Sequence, residues 1–198
     1  MTVSGLAALL FSTLGVLVSL RAETARQAYQ RLVTDYPGSP LRPEALIDIM
    51  GSLLREGRYA EVLARSDEAL AAAAIPVQQA RVFTLTGEAQ AGSGRMLEAV
   101  GAYTRALKLA AAGEQELIVP KLRAAILGLS PENVRTLSTT TADDLPMDYL
   151  LYQAGMLFAR EGRPREARLL LESFRERYPG HDQSERVEKA LAELRPAV

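Results

Sequence analysis

The sequence predicts an all-α fold, a stack of antiparallel helix pairs with about nine or ten helices in all, and three observations predict it. Gly57, Gly94, Gly128 and Gly162 recur at intervals of 37, 34 and 34 residues. Apolar and small residues repeat at helical spacing on both sides of these glycines, as at Phe83, Gly87 and Gln90 before Gly94 and at Ala99, Tyr103 and Ala106 after it. The flanks recur too. GRYAEVLARSDEAL, GRMLEAVGAYTRAL and GRPREARLLLESFRERYP place Val62, Ala99 and Ala167 at one position and Ala69, Ala106 and Phe174 at another.

The reference copy is Ala80 to Leu107. Gly87 and Ala99 permit close approach of two backbones, Tyr103 and Ala106 set a large knob beside a small hole, and Gly94 permits the positive φ that ends a helix. The copy before it runs from Pro43 to Leu70. Pro43 and Glu44 suit a helix start, and Leu46, Ile49, Met50 and Leu53 point inward. Met50 replaces the glycine, which predicts a wider helix pair, and the run Ala71 to Ala74 extends the second helix up to Ile75-Pro76.

From Glu114 the pattern degrades, with Lys121 and Asn133 where small residues are expected. Leu117, Val119, Leu122, Ala125 and Ile126 form an apolar set, Pro120 predicts a kink, and Gly128 is expected to serve as the turn. Ser130-Pro131-Glu132 starts the next helix with Ser130 as N-cap, and 138–146 reads as loop. Asp143 and Asp144 in that loop fit a solvated turn and helix cap better than an ion site. The last copy opens at Asp148 and is the most regular, with Leu151, Gly155, Phe158, Gly162, Ala167, Leu171 and Phe174 in place. Glu161, Arg165, Arg168 and Glu172 are spaced for intrahelical pairs. Asp182 and Glu185 suggest a capping box before a final helix striped by Val187, Ala190, Leu191 and Leu194.

The predicted organisation is an apolar segment at 1–22 followed by the helical stack at 23–198. Its repeats lie near 43–76, 80–113, 114–147 (degenerate) and 148–181, with a capping helix at 183–195. Ala25, Tyr29 and Leu32 repeat the second-helix stripe, and Tyr36-Pro37-Gly38 stops it. Residues Thr2 to Leu20 hold no charge. That stretch is at the lower limit for a membrane span and equally suits a packed terminal helix, so membrane contact through residues 3–20 stays open.

Twenty-three basic against 24 acidic residues leave a net charge of −1, which gives no field for nucleic acid. With no cysteine, disulfides and thiolate chemistry are excluded. His181 is the one histidine and is expected to be exposed in a turn. No phosphate-binding loop, dinucleotide fingerprint or metal-spaced cluster occurs, so no catalytic residue, cofactor or metal ligand is assigned. An unrecognised pair among the acids is the one enzymatic alternative.

The glycine-punctuated pattern resembles the tetratricopeptide repeat, which implies a right-handed superhelix with a concave groove for a partner protein or peptide. YPGSPLRPEAL, LSPENVRTL and ESFRERYPGHDQSERVEKAL are most similar to the N-terminal repeat region of penicillin-binding protein activator lipoproteins. That resemblance implies a non-catalytic scaffold on the periplasmic side of the bacterial envelope, whose partner is a peptidoglycan synthase or an envelope assembly protein. The alternatives are a cytoplasmic adaptor and a helical segment that packs on another part of its own polypeptide. The family's groove offsets fall on Asp48, Leu54 and Arg55, on Arg81, Leu85 and Glu88, and on Tyr149, Tyr152, Gln153, Met156 and Arg160. Tyr152 and Arg160 are the expected anchors.

Overall fold

A computed structural model of the chain describes residues 24–141 and 145–194, and every regular element within them is an α-helix. Within the described residues helix α1 covers 24–35. It is followed by α2 (Arg42–Arg55), α3 (Tyr59–Ala72), α4 (Pro76–Gly92), α5 (Met96–Leu109) and α6 (Ala112–Leu127). Then come α7 (Pro131–Thr139), α8 (Met147–Arg160), α9 (Pro164–Arg177) and α10 (Ser184–Glu193). The apolar stretch at 3–20 and the Asp143-Asp144 pair lie outside the described residues.

Local chemistry sets most of these boundaries. Pro43, Pro76, Pro131 and Pro164 stand in the first turns of α2, α4, α7 and α9, where a missing N–H costs nothing. Gly57, Gly94 and Gly162 adopt φ of 72°, 76° and 72°. The arginine after each glycine then donates its backbone N–H to the carbonyl five residues back: Arg58 to Leu53, Arg95 to Gln90, Arg163 to Phe158. This closure satisfies a helix-end carbonyl and turns the chain back on itself.

Gly128 does something else. It is the C-cap of α6, as Ser93 is of α4 and Glu161 is of α8, and its φ is −77°. The degenerate unit is therefore shifted by one residue against its neighbours, and Leu129 stands where Gly94 and Gly162 stand. The repeat interval disguised this shift.

That register explains the pairs as well. Met50 and Ser66, Gly87 and Tyr103, and Gly155 and Leu171 each lie sixteen residues apart at matching places in paired helices. Where the first helix has glycine the second has a large side chain, and where the first has Met the second has serine. Ser66 thus offsets the volume of Met50, which is wholly buried, and Leu122 rather than Lys121 takes the glycine position of the degenerate unit.

Other expectations are corrected. Helix α3 ends at Ala72 instead of running through Ala74; Pro120 lies inside α6, which runs on to Leu127. Leu117 and Val119 are exposed, while Leu122, Ala125 and Ile126 form the buried side of α6. Ser138 and Thr139 belong to α7. Glu161 pairs across to Arg123 of α6 at 2.9 Å, whereas Arg168 and Glu172 do form an intrahelical pair at 3.6 Å. No capping box opens α10: its N-cap is Gln183, without a side-chain cap.

Helices α4 and α5, and α8 and α9, form the tightest hairpins, and the first helices α2, α4, α6 and α8 pack in succession. Helix α7 departs from this scheme by packing against α9, while α6 packs against α5 and α8. Two buried clusters result. Val33, Leu46, Ile49, Met50, Leu53, Val62 and Val82 centre the N-terminal one, and Leu150, Leu151, Phe158, Leu170, Leu171 and Phe174 centre the other. Burying each such side chain is worth about 1.5–3 kcal/mol.

Candidate functional site

The succession of first helices leaves one face of the stack open, and the charged side chains on that face join helix to helix. Glu44 of α2 accepts from Arg81 of α4 at 2.6 Å and from Gln78 at 3.1 Å. Glu88 of α4 accepts from Lys121 of α6, and Glu56, just past α2, accepts from Arg26 of α1. These pairs are partly exposed, so each contributes at most about 1 kcal/mol. Their larger effect is to hold the charged heads in fixed places.

Between α1, α2, α4 and α6 the face sinks into a cavity of about 550 Å³. Ile47, Gly51, Ala80, Leu85 and Ile118 give it an apolar floor, and Arg26, Arg81 and Lys121 ring it with the paired cations. The charge of Asp48 across the cavity, and then hydrogen bonding to it, raise the Tyr29 phenol above its ordinary value. Arg55 is exposed and makes no ion pair among the described residues. It also borders a second, shallower depression of about 380 Å³ with Leu54, Tyr59, Glu88 and Tyr103. Burial, and then the charge of Glu88, raise the Tyr103 phenol, so that ring enters as a neutral wall.

The structure brings Asp48, Arg55, Arg81 and Leu85 together in the cavity, with Leu54 and Glu88 in the adjoining depression. Tyr149, Tyr152, Gln153, Met156 and Arg160 lie apart on α8. Tyr149, Gln153 and Arg160 are exposed there. Tyr152 is half-buried, its ring 6.0 Å from that of Phe174, which also meets Tyr178 at 5.6 Å and His181 edge-on at 5.2 Å. His181 does lie in the turn, with its side chain 34% exposed and its ring engaged with Phe174. Its Nδ1 accepts from the Gln183 N–H at 3.2 Å, and its Nε2 lies 3.4 Å from Asp148 at the start of α8.

Arg26, Tyr29 and Lys121 are site residues that the sequence reading passed over. A signal for part of this was present: Glu44 and Arg81, and Glu88 and Lys121, are opposite charges about one repeat apart on successive first helices. Among the described residues no group of three or more His, Asp or Glu is placed to hold a metal. None of the described helices is long and apolar enough to cross a membrane.

Hairpins closed by glycine, a small residue against a large one within each pair, and an open face built from first helices together specify a repeat. Residues 17–39 and 149–181 match the family model for the tetratricopeptide repeat. In those two stretches the chain is similar to the tetratricopeptide repeat, and its all-helical stack is consistent with that fold. Both matches run past the same tripeptide, Tyr36-Pro37-Gly38 in one and Tyr178-Pro179-Gly180 in the other. No curated protein and no solved structure matches the chain. Tetratricopeptide repeats are modules for protein–protein interaction and are typically non-catalytic, and the face just described has the form such modules use.

Proposed function

We propose that this chain is a non-catalytic tetratricopeptide-repeat scaffold of the bacterial cell envelope that holds a segment of a partner protein in the cavity between α1, α2, α4 and α6. One observation carries the binding part of this reading: an apolar-floored cavity of about 550 Å³ whose rim charges are locked helix to helix. A rim fixed in advance loses little side-chain freedom on binding, so more of the contact energy appears as affinity. Arg55, outside the ion pairs and shared by both depressions, is the residue proposed to anchor the partner. Asp48, Arg81 and Glu88 position the segment around it, and the α8 surface of Tyr149, Gln153 and Arg160 is proposed as a second contact.

The periplasmic side of the envelope, and a peptidoglycan synthase or envelope assembly protein as partner, are proposed on the resemblance of YPGSPLRPEAL and ESFRERYPGHDQSERVEKAL to penicillin-binding protein activators. Cross-linking in the native cell followed by mass spectrometry would identify the partner. Arg55→Ala in the full chain should then weaken its capture about tenfold or more, with helicity unchanged. Undiminished capture would reject the cavity. Recovery of the native protein in the cytosolic fraction would reject the envelope while leaving the cavity standing.

A further inference from the structure

One pattern of turn occurs twice in the chain, and its two copies cap the following helix with different side chains. After Tyr36-Pro37-Gly38, the Ser39 N–H donates to the Tyr36 carbonyl at 3.0 Å and the Arg42 N–H to the Ser39 carbonyl at 3.0 Å. The Leu41 N–H donates to the Ser39 hydroxyl oxygen at 3.2 Å. After Tyr178-Pro179-Gly180, the His181 N–H donates to the Tyr178 carbonyl at 3.2 Å and the Ser184 N–H to the His181 carbonyl at 2.8 Å. Here the Gln183 N–H donates to His181 Nδ1 at 3.2 Å. An imidazole thus supplies ahead of α10 the acceptor that a hydroxyl supplies ahead of α2. A hydroxyl oxygen goes on accepting in mild acid, whereas an imidazole nitrogen that takes a proton stops.

Helix α10 depends on that acceptor. Its N-cap Gln183 gives it no side-chain cap, and the buried Ser184 hydroxyl has no hydrogen-bond partner among the described residues. Within those residues α10 is otherwise held by buried Val187, Ala190 and Leu191, by Arg168 on the Leu194 carbonyl, and by Arg175, 3.8 Å from Glu188. On the other side of the ring, Nε2 lies 3.4 Å from Asp148 in the first turn of α8, and the ring meets Phe174 of α9 edge-on. Because Nδ1 accepts, the neutral ring carries its proton on Nε2, toward Asp148.

We propose that His181 is an acid-sensitive clasp, which as a neutral imidazole seats α10 against α8 and α9 and on protonation lets α10 go. The second proton goes to Nδ1 and turns the acceptor into a donor that faces the Gln183 N–H. That N–H then has no partner at the helix end. Asp148 stabilises the cation from the α8 side and so draws the proton on. A half-exposed ion pair of this kind is weak, while the lost acceptor is not replaced, so the balance falls toward release. The charged and titratable groups on the elements around the ring are Asp148 and Tyr152 of α8, Arg177 at the end of α9, Tyr178 and Asp182 of the turn, and Glu185 and Arg186 at the start of α10. Imidazole is the one side-chain type in this set that ordinarily changes charge between about pH 5 and 8. Seating is therefore tight where the ring is neutral and weakens as the pH falls.

His181 is the only histidine, so its ring signals are unambiguous in the full chain. At about pH 7.5 the nitrogen spectrum should show the proton on Nε2 and none on Nδ1. Native-state hydrogen exchange, corrected for the intrinsic rate at each pH, should show the α10 amides losing protection about tenfold between about pH 7.5 and 5.5, with those of α4 unchanged. His181→Ser installs the acceptor of the first turn, and its α10 protection should be equal at the two pH values. Asp148→Asn removes the charge that draws the proton, and should move the loss to lower pH. A proton on Nδ1 at neutral pH, a native chain without the loss, a His181→Ser chain that keeps it, or an Asp148→Asn chain with an unmoved midpoint would each overturn the clasp. No partner enters these readouts, so the cavity assignment stands or falls separately.

Discussion

The ring of Tyr103 lies so close over Gly87 that a Cβ added to the glycine would sit 2.8 Å from the Tyr103 Cε1. Tyr103 is almost wholly buried and packed on the same cluster as Ala99 and Ala106, so it has little room to retreat. The absent side chain of residue 87 is what lets α4 and α5 approach, and Gly155 under Leu171 repeats the arrangement in α8 and α9.

Gly87→Ala tests this directly. Helix propensity favours alanine by about 0.5–1 kcal/mol, while forcing one extra carbon against a packed ring costs about 1–3 kcal/mol, so the clash wins. The variant should unfold at lower denaturant by about 1–2 kcal/mol with an unchanged slope. Gly51→Ala in α2 is the control. Its Cβ would meet only the Arg55 guanidinium at 3.6 Å, an ordinary contact, and it should gain about 0.5 kcal/mol. Equal effects at the two sites would mean that the α4 and α5 pair does not need its glycine.

The turn glycines separate in the same way. Gly162 holds φ of 72° in open space, so Gly162→Ala should cost about 1–2 kcal/mol from backbone strain alone. Gly128 has helical φ, and its Cβ would press only on the flexible side chain of Met96 at 3.3 Å. Gly128→Ala should therefore stabilise slightly or leave stability unchanged. A loss at Gly128 as large as that at Gly162 would restore it to the role of a turn glycine.

That contrast shows how far the sequence could be read. Helix pairing was legible because Gly57, Gly94 and Gly162 couple a repeat interval to a backbone requirement, positive φ, which few other residues meet. Gly128 kept the interval and lost the requirement, and spacing alone does not distinguish the two. Lys121 was legible as an oddity within a hairpin but not as a partner of Glu88, because that pairing joins helices of different repeats. Likewise Asp182 and Glu185 have the letters of a capping box, yet His181 organises the turn by contacts to Phe174 and Asp148 that are remote in sequence.

Acid should loosen the α2 to α3 turn. The hydrogen bond from Arg58 holds Glu61 below the ordinary carboxylate value, against the opposing effect of desolvation. It does the same for Glu56, with the charge of Arg26 assisting. A carboxylate whose pKa is lowered by folding contributes stability that is fully present above its ordinary value of 4.5 and is lost as the pH falls through the folded value. The thermal midpoint of the native chain should thus fall below about pH 4.5 more steeply than that of Arg58→Gln. Parallel curves from neutral to acid pH would show that these pairs do not contribute.

Arg163 is the tie between the last regular repeat and the degenerate one. Its guanidinium lies over the Phe158 ring, 4.2 Å from the centroid, and donates to the Leu127 carbonyl at 3.1 Å and the Leu129 carbonyl at 3.2 Å. Leu127 ends α6 and Leu129 follows its C-cap Gly128, so no further helical N–H satisfies these carbonyls. Glu166 fixes the fork from the other side at 2.8 and 2.9 Å. Burial alone would raise the Glu166 carboxyl, but the Arg163 hydrogen bond, a backbone hydrogen bond and the charges of Arg163 and Arg165 together bring the group below its ordinary value. Arg163→Ala removes the cation from the ring and strands two carbonyls, for a loss of about 2–3 kcal/mol. Arg163→Lys should recover little, because one ammonium cannot span both carbonyls and the carboxylate while lying flat on the ring. The amides of α7 should exchange faster in either variant, since α7 has no hairpin partner in α6 and relies on α9 and on this bridge. A lysine variant as stable as the native chain would show that charge alone, without the planar fork, joins the two repeats.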